Sequence, residues 1–381
     1  QTDDSITTPS VSFPTGGFNS SGSAKSLTQV NGAGAAASVR LGSVYTASSA
    51  WVTDGNVPFY SPQGIISDSA GNIYVEDSGN GRVVKFDPSG NPILKFGSSG
   101  TGPGQLSIPT GIVLDSAGNI YVADSNNNRV EVFDSAGTYL FQIGTGASGN
   151  GDYDIVDPRG IAIDSVGNIY VSEVGNNRIH KFNYRGAYIS QFGSYGTGVG
   201  QFLGPMGMVI DSADNLYVVD YKNSRVQKFN SSGRWLADIG SGYLQGPMGV
   251  ALDSAGNIYV AGGKNPNIVY FDPSGSYISQ FGVSGSLLGQ FNLPTAVALD
   301  PAGVLYVADA DNNRIQLLTP KLAGAGAYTS YFDSGIANTV WSSFSINKGS
   351  TAGVNQGSIR VRVISSASNT IVPTFSGAGN C

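Results

Sequence analysis

One pattern recurs six times along the chain, beginning at Pro62, Pro109, Pro158, Pro205, Pro247 and Pro294, so successive starts lie 47, 49, 47, 42 and 47 residues apart. A period of roughly 40 to 50 residues belongs to propellers, solenoids and arrays. The third copy, residues 158–193, reads as four short strands, GIAID, NIYVSE, NRIHKFN and AYISQFG, separated by turn residues. A lone four-stranded sheet cannot bury both of its faces, so six copies must pack face to face around an axis. The expected fold is therefore all-β: a six-bladed β-propeller of four-stranded antiparallel blades, with a small extra β segment at the C-terminus.

Each first strand ends in an aspartate, Asp68, Asp115, Asp164, Asp211, Asp253 or Asp300, and Gly-Asn or a close variant comes three residues later. This spacing predicts a tight turn in which the aspartate accepts backbone N–H bonds and glycine takes a positive φ. The first strands are short and almost wholly apolar, as strands covered on both faces are. Every second strand carries a tyrosine, Tyr74, Tyr121, Tyr170, Tyr217, Tyr259 or Tyr306, expected to fill the space between adjacent sheets.

The sixth copy has no clear fourth strand after Pro320. Closing the ring removes two exposed sheet edges, and residues 39–52 stand where a completing strand must come from. The propeller is accordingly expected over residues 39–320, with 39–52 as its ring-closing strand. Residues 1–38 are rich in Ser, Thr, Gly and Ala and bury too little apolar area to offset their own ordering entropy. Residues 321–381 read as four further strands, a thin sheet that needs a partner face.

Composition narrows the function classes. Charged residues make up 12% of the chain and 54 of 381 residues are glycine, against usual values of about 25% and ~7%. Such a surface, built from hydroxyls and amides, is typical of secreted or cell-surface proteins. A chain that starts at Gln1 fits removal of a signal peptide. With a net charge of −6 and no Lys/Arg run, a phosphate-tracking surface is not expected, and nucleic acid is excluded as a partner. No apolar run approaches the ~18 residues of a membrane helix. The single cysteine, Cys381, cannot form an intrachain disulfide and excludes thiolate zinc sites; it is either an incidental terminal thiol, a link to another chain or a cut just inside a longer protein.

Five second strands close on an acid, Asp77, Asp124, Glu173, Asp220 and Asp309, and five residues on the third strand opens with Arg82, Arg129, Arg178, Arg225 and Arg314. A pair repeated in five blades reads as a structural loop lock, with the carboxylate accepting from the guanidinium or from loop N–H groups. The fifth copy breaks the rule: Ala261-Gly-Gly-Lys264-Asn-Pro-Asn267 has neither partner. The motif of residues 109–133, PTGIVLDSAGNIYVADSNNNRVEVF, resembles the NHL repeat almost position for position. That resemblance covers about two thirds of the chain and implies a six-bladed propeller. It does not select a function, because NHL-like propellers include enzymes and binding modules.

Among enzymes that this family resembles, amidating lyases need several histidines for their metal. This chain has one, His180, whose place in the other copies is taken by Val84, Glu131, Gln227, Val269 and Gln316. A position so varied is expected to face outward, without a catalytic role. Lactonase-like propellers hold a divalent cation near the axis with carboxylates and amides; here the innermost strands offer only apolar and small side chains. The residues before those strands, Gln63, Thr110, Arg159, Met206, Met248 and Thr295, are expected to ring the channel mouth, with Arg159 the lone charge. No metal site, no cofactor and no carboxylate dyad is expected. The glycine-rich runs 100–104 and 196–200 precede no helix and read as connecting loops.

The sequence thus favours a non-catalytic binding or assembly module, secreted or at the cell surface. It would meet a protein or glycan partner on the face that carries the fourth-to-first-strand loops. The aromatic and apolar residues of those loops are Tyr153, Tyr195, Phe202, Tyr243, Leu287, Leu288 and Phe291, with Lys264 in the irregular fifth blade beside them. Self-association into an oligomer or extracellular filament, through residues 1–38 and 321–381, is the sharper form of this reading. A propeller enzyme, a lyase or lactonase-type hydrolase using the channel mouth, is the alternative.

Overall fold

The computed structural model describes residues 44–321. The expected C-terminal β segment and the N-terminal segment before residue 44 lie outside the described residues. Six four-stranded antiparallel sheets are formed. Their innermost strands are Pro62–Ser67, Pro109–Leu114, Pro158–Ile163, Pro205–Ile210, Gly249–Leu252 and Pro294–Leu299, and these define blades 1 to 6. In blades 1 to 5 each strand pairs with the next in sequence, so each of these blades is a meander read off one repeat. The propeller is one unit spanning Tyr45–Pro320.

The turns follow the local chemistry. Asp115 Oδ1 accepts the N–H groups of Ala117 and Asn119 at 2.9 and 2.8 Å, while Gly118 sits at φ 83°, a conformation that a Cβ disfavours. The core lies between blades rather than within them. Tyr121 of blade 2 packs with Ile161, Ile169 and Phe182 of blade 3, and Tyr217 of blade 4 with Val250 and Ile258 of blade 5. Each such buried side chain contributes about 1.5–3 kcal/mol, repeated around the ring.

The sixth blade is completed from the other end of the chain. Val44–Trp51 is its outermost strand, hydrogen-bonded beside Arg314–Lys321. Tyr45 stacks on Phe281 of blade 5 with centroids 5.5 Å apart, and Trp51 stacks on Phe86 of blade 1 at 4.8 Å. One strand therefore ties the last blade to both of its neighbours.

The inner strands begin earlier than the apolar runs suggest. In blades 1 to 4 and 6 the leading proline already pairs, as Pro62 does with Asp77 and Pro109 with Asp124, and a bulge follows it. A proline is tolerated there because it opens the innermost strand, where no ladder N–H is required of it.

Candidate functional site: the loop face and the axial channel

Because every strand reverses direction, the second-to-third-strand turns and the fourth-to-first-strand loops emerge on the same face. There the acid, asparagine and arginine of the repeat form a clamp. Arg Nε lies 2.8, 2.9, 3.2, 2.9 and 2.7 Å from Asp77, Asp124, Glu173, Asp220 and Asp309 respectively. The acid's other contacts hold the incoming loop: Asp124 Oδ1 accepts Ser107 N–H at 2.6 Å and Asp220 Oδ1 accepts Leu203 N–H at 2.8 Å. The arginine's free end grips loop carbonyls. Arg129 Nη2 donates to Gly102 O at 2.9 Å and Gln105 O at 2.8 Å, and Arg314 Nη2 to Leu287 O at 2.9 Å and Gln290 O at 2.8 Å. Asn127 and Asn223 add bonds to Gly100 O and Gly196 O. Hydrogen bonds to charged groups contribute about 1.5–3 kcal/mol each, so these loops are held rigid.

His180 is not outward-facing. It is fully buried, with Nδ1 2.7 Å from Glu173 Oε1 and Nε2 2.7 Å from Gln191 Oε1. The equivalents do related work: Gln227 Oε1 accepts Gly200 N–H at 3.0 Å, and Gln316 Oε1 accepts Gly289 N–H at 2.9 Å. Variability among the copies does not imply exposure here. Strand alternation points the other way, since His180 lies two residues after Arg178 and side chains two apart share a face. In this ring burial opposes the charged form of Glu173, but the His180 hydrogen bond and charge, with Asn176 and Arg178, outweigh it and bring its pKa below the ordinary value. Glu131 goes the opposite way: burial, helped by Asp124, lifts it to about 7 against the Gly104 bond and Arg129.

The fifth blade has no such clamp. Gly262 and Asn267 stand at the acid and arginine positions. Asn267 Nδ2 donates to Gln280 at 3.1 Å, and Lys264 Nζ sits 5.4 Å above the Tyr221 ring. The loop face is thus clamped at five positions and looser at one.

Of the loop residues singled out by sequence, Tyr195 is 73% exposed, Leu287 69% and Tyr243 50%. Tyr153 and Leu288 also stand out, whereas Tyr243 lies flat on Tyr277 at 4.4 Å. Phe202 and Phe291 are instead wholly buried. Phe202 packs against Phe229 with centroids 5.7 Å apart, so it anchors its loop and is unavailable to a ligand. The signal was present: both follow Gln in a Gly-x-Gly-Gln-Phe or Leu-Leu-Gly-Gln-Phe run, and that glutamine folds back to cap the loop, as Gln201 Oε1 does for Gly198 N–H at 3.0 Å.

At the axis Gln63, Thr110, Arg159, Met206, Met248 and Thr295 come together around one cavity of about 600 Å³, open to solvent. Five of them lie within the inner strands, one residue after the proline, while Met248 stands just before its strand as expected. A ring of Gly64, Gly111, Gly160, Gly207, Gly249 and Ala296 follows below, then an apolar ring that includes Ile65, Ile161 and Met208. Two mouth residues are committed to blade contacts. Buried Thr295 donates to Gln63 O at 2.9 Å, and Thr110 Oγ1 lies 2.6 Å from Ser125 Oγ. Behind Gly64, sequence reading missed a carboxyl: Glu76 is fully buried, neither oxygen forms an aligned hydrogen bond, and burial raises its pKa well above the ordinary value against the opposing Gly64 N–H. Its counterparts are Ala123, Ser172, Val219, Ala261 and Ala308. No group of three or more His, Cys, Asp or Glu among the described residues is placed to hold a metal ion.

Six radially packed four-stranded sheets around such a channel define a six-bladed β-propeller. The NHL-repeat model matches residues 59–86, 106–133, 156–182, 202–229 and 291–316, which are blades 1 to 4 and 6. With these five repeats in this arrangement, the chain belongs to the NHL-repeat propellers. The fifth blade, where acid and arginine are missing, is the one left unmatched. No curated protein matches the sequence. Among solved structures it is similar to a streptogramin B lyase (14% identity, 72% of this chain and 96% of that one, TM-score 0.52). It is also similar to a protein of unknown function from Bacteroides thetaiotaomicron VPI-5482 (20% identity, 73% and 72%, TM-score 0.55). A third is an auxiliary nutrient binding protein from Bacteroides ovatus ATCC 8483 (14% identity, 75% and 79%, TM-score 0.53). At such identities the likeness is one of fold.

Proposed function

We propose that this propeller is a non-catalytic binding and assembly module that meets a protein partner on its loop face. One observation carries the reading: Tyr195, Leu287 and Leu288 are exposed on loops whose backbones are clamped by Arg225 and Arg314. Apolar side chains held out on preorganised loops lose little further entropy on docking, so their burial is available as binding free energy. The fold alone would serve a lyase or a binding protein equally; the loop face favours the second.

The same reading places the protein outside the cell or on its surface, in keeping with a skin poor in charge and rich in Gly, Ser and Asn. Its sharper form is that copies associate, with residues 1–38 and 321–381 joining neighbours and the loop face contributing. Sedimentation of the full chain across a concentration series, beside the variant Tyr195→Ser/Leu287→Ser/Leu288→Ser, tests it. The expected result is association in the parent chain that the variant weakens by about tenfold or more with an unchanged unfolding midpoint. Strict monomers at every concentration would remove the assembly reading, and unchanged association in the variant would remove the loop face from it.

A further inference from the structure

The chain contains three methionines, and all three, Met206, Met208 and Met248, line the axial channel. None is spent in the cores between blades to the exclusion of the channel. Methionine is the adaptable apolar side chain, unbranched and polarizable, and it recurs where a surface must fit ligands of varied shape. Met206 and Met248 lie in the mouth ring on adjacent blades, and Met208 lies below the glycine ring under Met206. Together they make one flank of the channel soft and apolar.

Next to that flank, on blade 3, stands Arg159, the only charged side chain lining the cavity. Its Nε is 2.8 Å from Asp157 Oδ1 as an ion pair, yet Nε is buried without an aligned hydrogen bond. A guanidinium presents five N–H donors in a planar fork suited to carboxylates, and here none of them forms an aligned bond within the described residues. The side chain is 29% exposed and lines the cavity, so its remaining donors are open to the channel. The ring glycines let neighbouring inner strands approach, since a Cβ on Gly111 or Gly160 would fall on Arg159 O or Met206 O, and below them Ile65, Ile161 and Met208 make the deeper wall apolar. Asp157 pairs with the Nε edge of the guanidinium, and Glu76 lies behind Gly64, outside the cavity lining. Small-molecule sites pair apolar walls with few polar groups, and this lining has that character.

We propose that the axial channel binds a small organic carboxylate with an unbranched aliphatic tail. The carboxylate meets the Arg159 guanidinium, and the tail runs down the glycine ring against Met206, Met208 and Met248. One guanidinium, with Asp157 on its Nε edge, suits a monoanion at most; a phosphate dianion would call for more positive charge than the cavity offers. This site is separate from the loop-face reading and stands or falls without it.

The three methionines supply the probe. In full-length protein carrying 13C-methyl methionine, Met206→Leu, Met208→Leu and Met248→Leu assign three methyl signals, and sodium hexanoate, hexylamine and 1-hexanol are titrated in turn. Hexanoate is expected to move the channel methyls saturably, with 1-hexanol weaker by about tenfold and hexylamine without effect. Arg159→Gln is expected to bring hexanoate down to the level of the alcohol, and Arg159→Lys to restore part of the difference. Methyl signals that do not move with hexanoate, that respond equally to the amine, or that respond in Arg159→Gln as in the parent chain would overturn the proposal. Should Arg159→Gln lose the dispersed methyl signals of a folded channel, the Arg159→Lys variant and the acid-against-amine comparison still decide it.

Discussion

Glu131 Oε2 accepts the Gly104 N–H at 2.8 Å, the bond that Gln227 Oε1 makes to Gly200 N–H at 3.0 Å two blades further on. Gln227 also donates, from Nε2 to Gln201 O at 2.6 Å and to Asp220 Oδ2 at 3.1 Å. Glu131 can match that second function only when its carboxyl is protonated.

Burial, with Asp124, lifts the Glu131 pKa to about 7 against the Gly104 bond and Arg129; Tyr139 also faces it. A folded pKa above the unfolded value contributes stability that is fully present below about pH 4.5 and lost as pH rises through about 7. Glu131→Gln, which keeps the donor at all pH, is therefore expected to be near neutral at pH 4.5. At pH 8 it should be more stable than the parent by about 2 kcal/mol, after allowing for solvent screening at the loop face. Urea midpoints at the two pH values measure this, and an equal difference at both would refute the assignment.

His180 bridges Glu173 and Gln191 in the same ring of blade 3. His180→Ala strands both partners in a buried place and is expected to cost about 1–3 kcal/mol. His180→Gln supplies the residue of blades 4 and 6 and should retain most of the stability. Glu173 carries the opposite pH sign to Glu131. Its depressed pKa stabilises the fold above the usual carboxylate range, and that contribution is lost as pH falls through the folded value. Denaturant titrations of both variants at pH 7 and pH 4 test the pair; equal losses for Ala and Gln would show that the position acts through volume alone.

Glu76 and Gly64 compete for one space, because a Cβ on Gly64 would fall on the Glu76 carboxyl. In blade 6 the corresponding residues are Ala296 and Ala308, which coexist as a strand pair. Gly64→Ala is expected to cost about 2–4 kcal/mol, as overpacking of a filled site does. Glu76→Ala should relieve most of that loss, giving a coupling of at least about 1 kcal/mol in the double-mutant cycle. Additive losses would show that Glu76 does not fill the room that Gly64 leaves.

Much of this architecture was legible in the chain. The six starts, the Asp-x-x-Gly turns and the tyrosine of each second strand name the blade, its meander and its inter-blade filling. The mouth residues were legible as a set because identical repeats must present equivalent positions to the axis. His180 varies among copies and is nonetheless buried, because four of the six occupants can hydrogen-bond and five share a strand face with the clamp arginine two before. Phe202 was misread because apolar residues in a glycine-rich loop look displayed until the glutamine before them is seen to cap that loop.

Periodicity, turn chemistry and apolar alternation are local, and by themselves they determined the repeat, the blade and the ring of six. Tertiary structure alone decided which groups lost their water. It closed Glu76 behind Gly64 and turned His180 and Glu131 into the clamps. Burial, charge neutralisation and shared space are properties of residues far apart in the chain, and they come into being only when the ring closes.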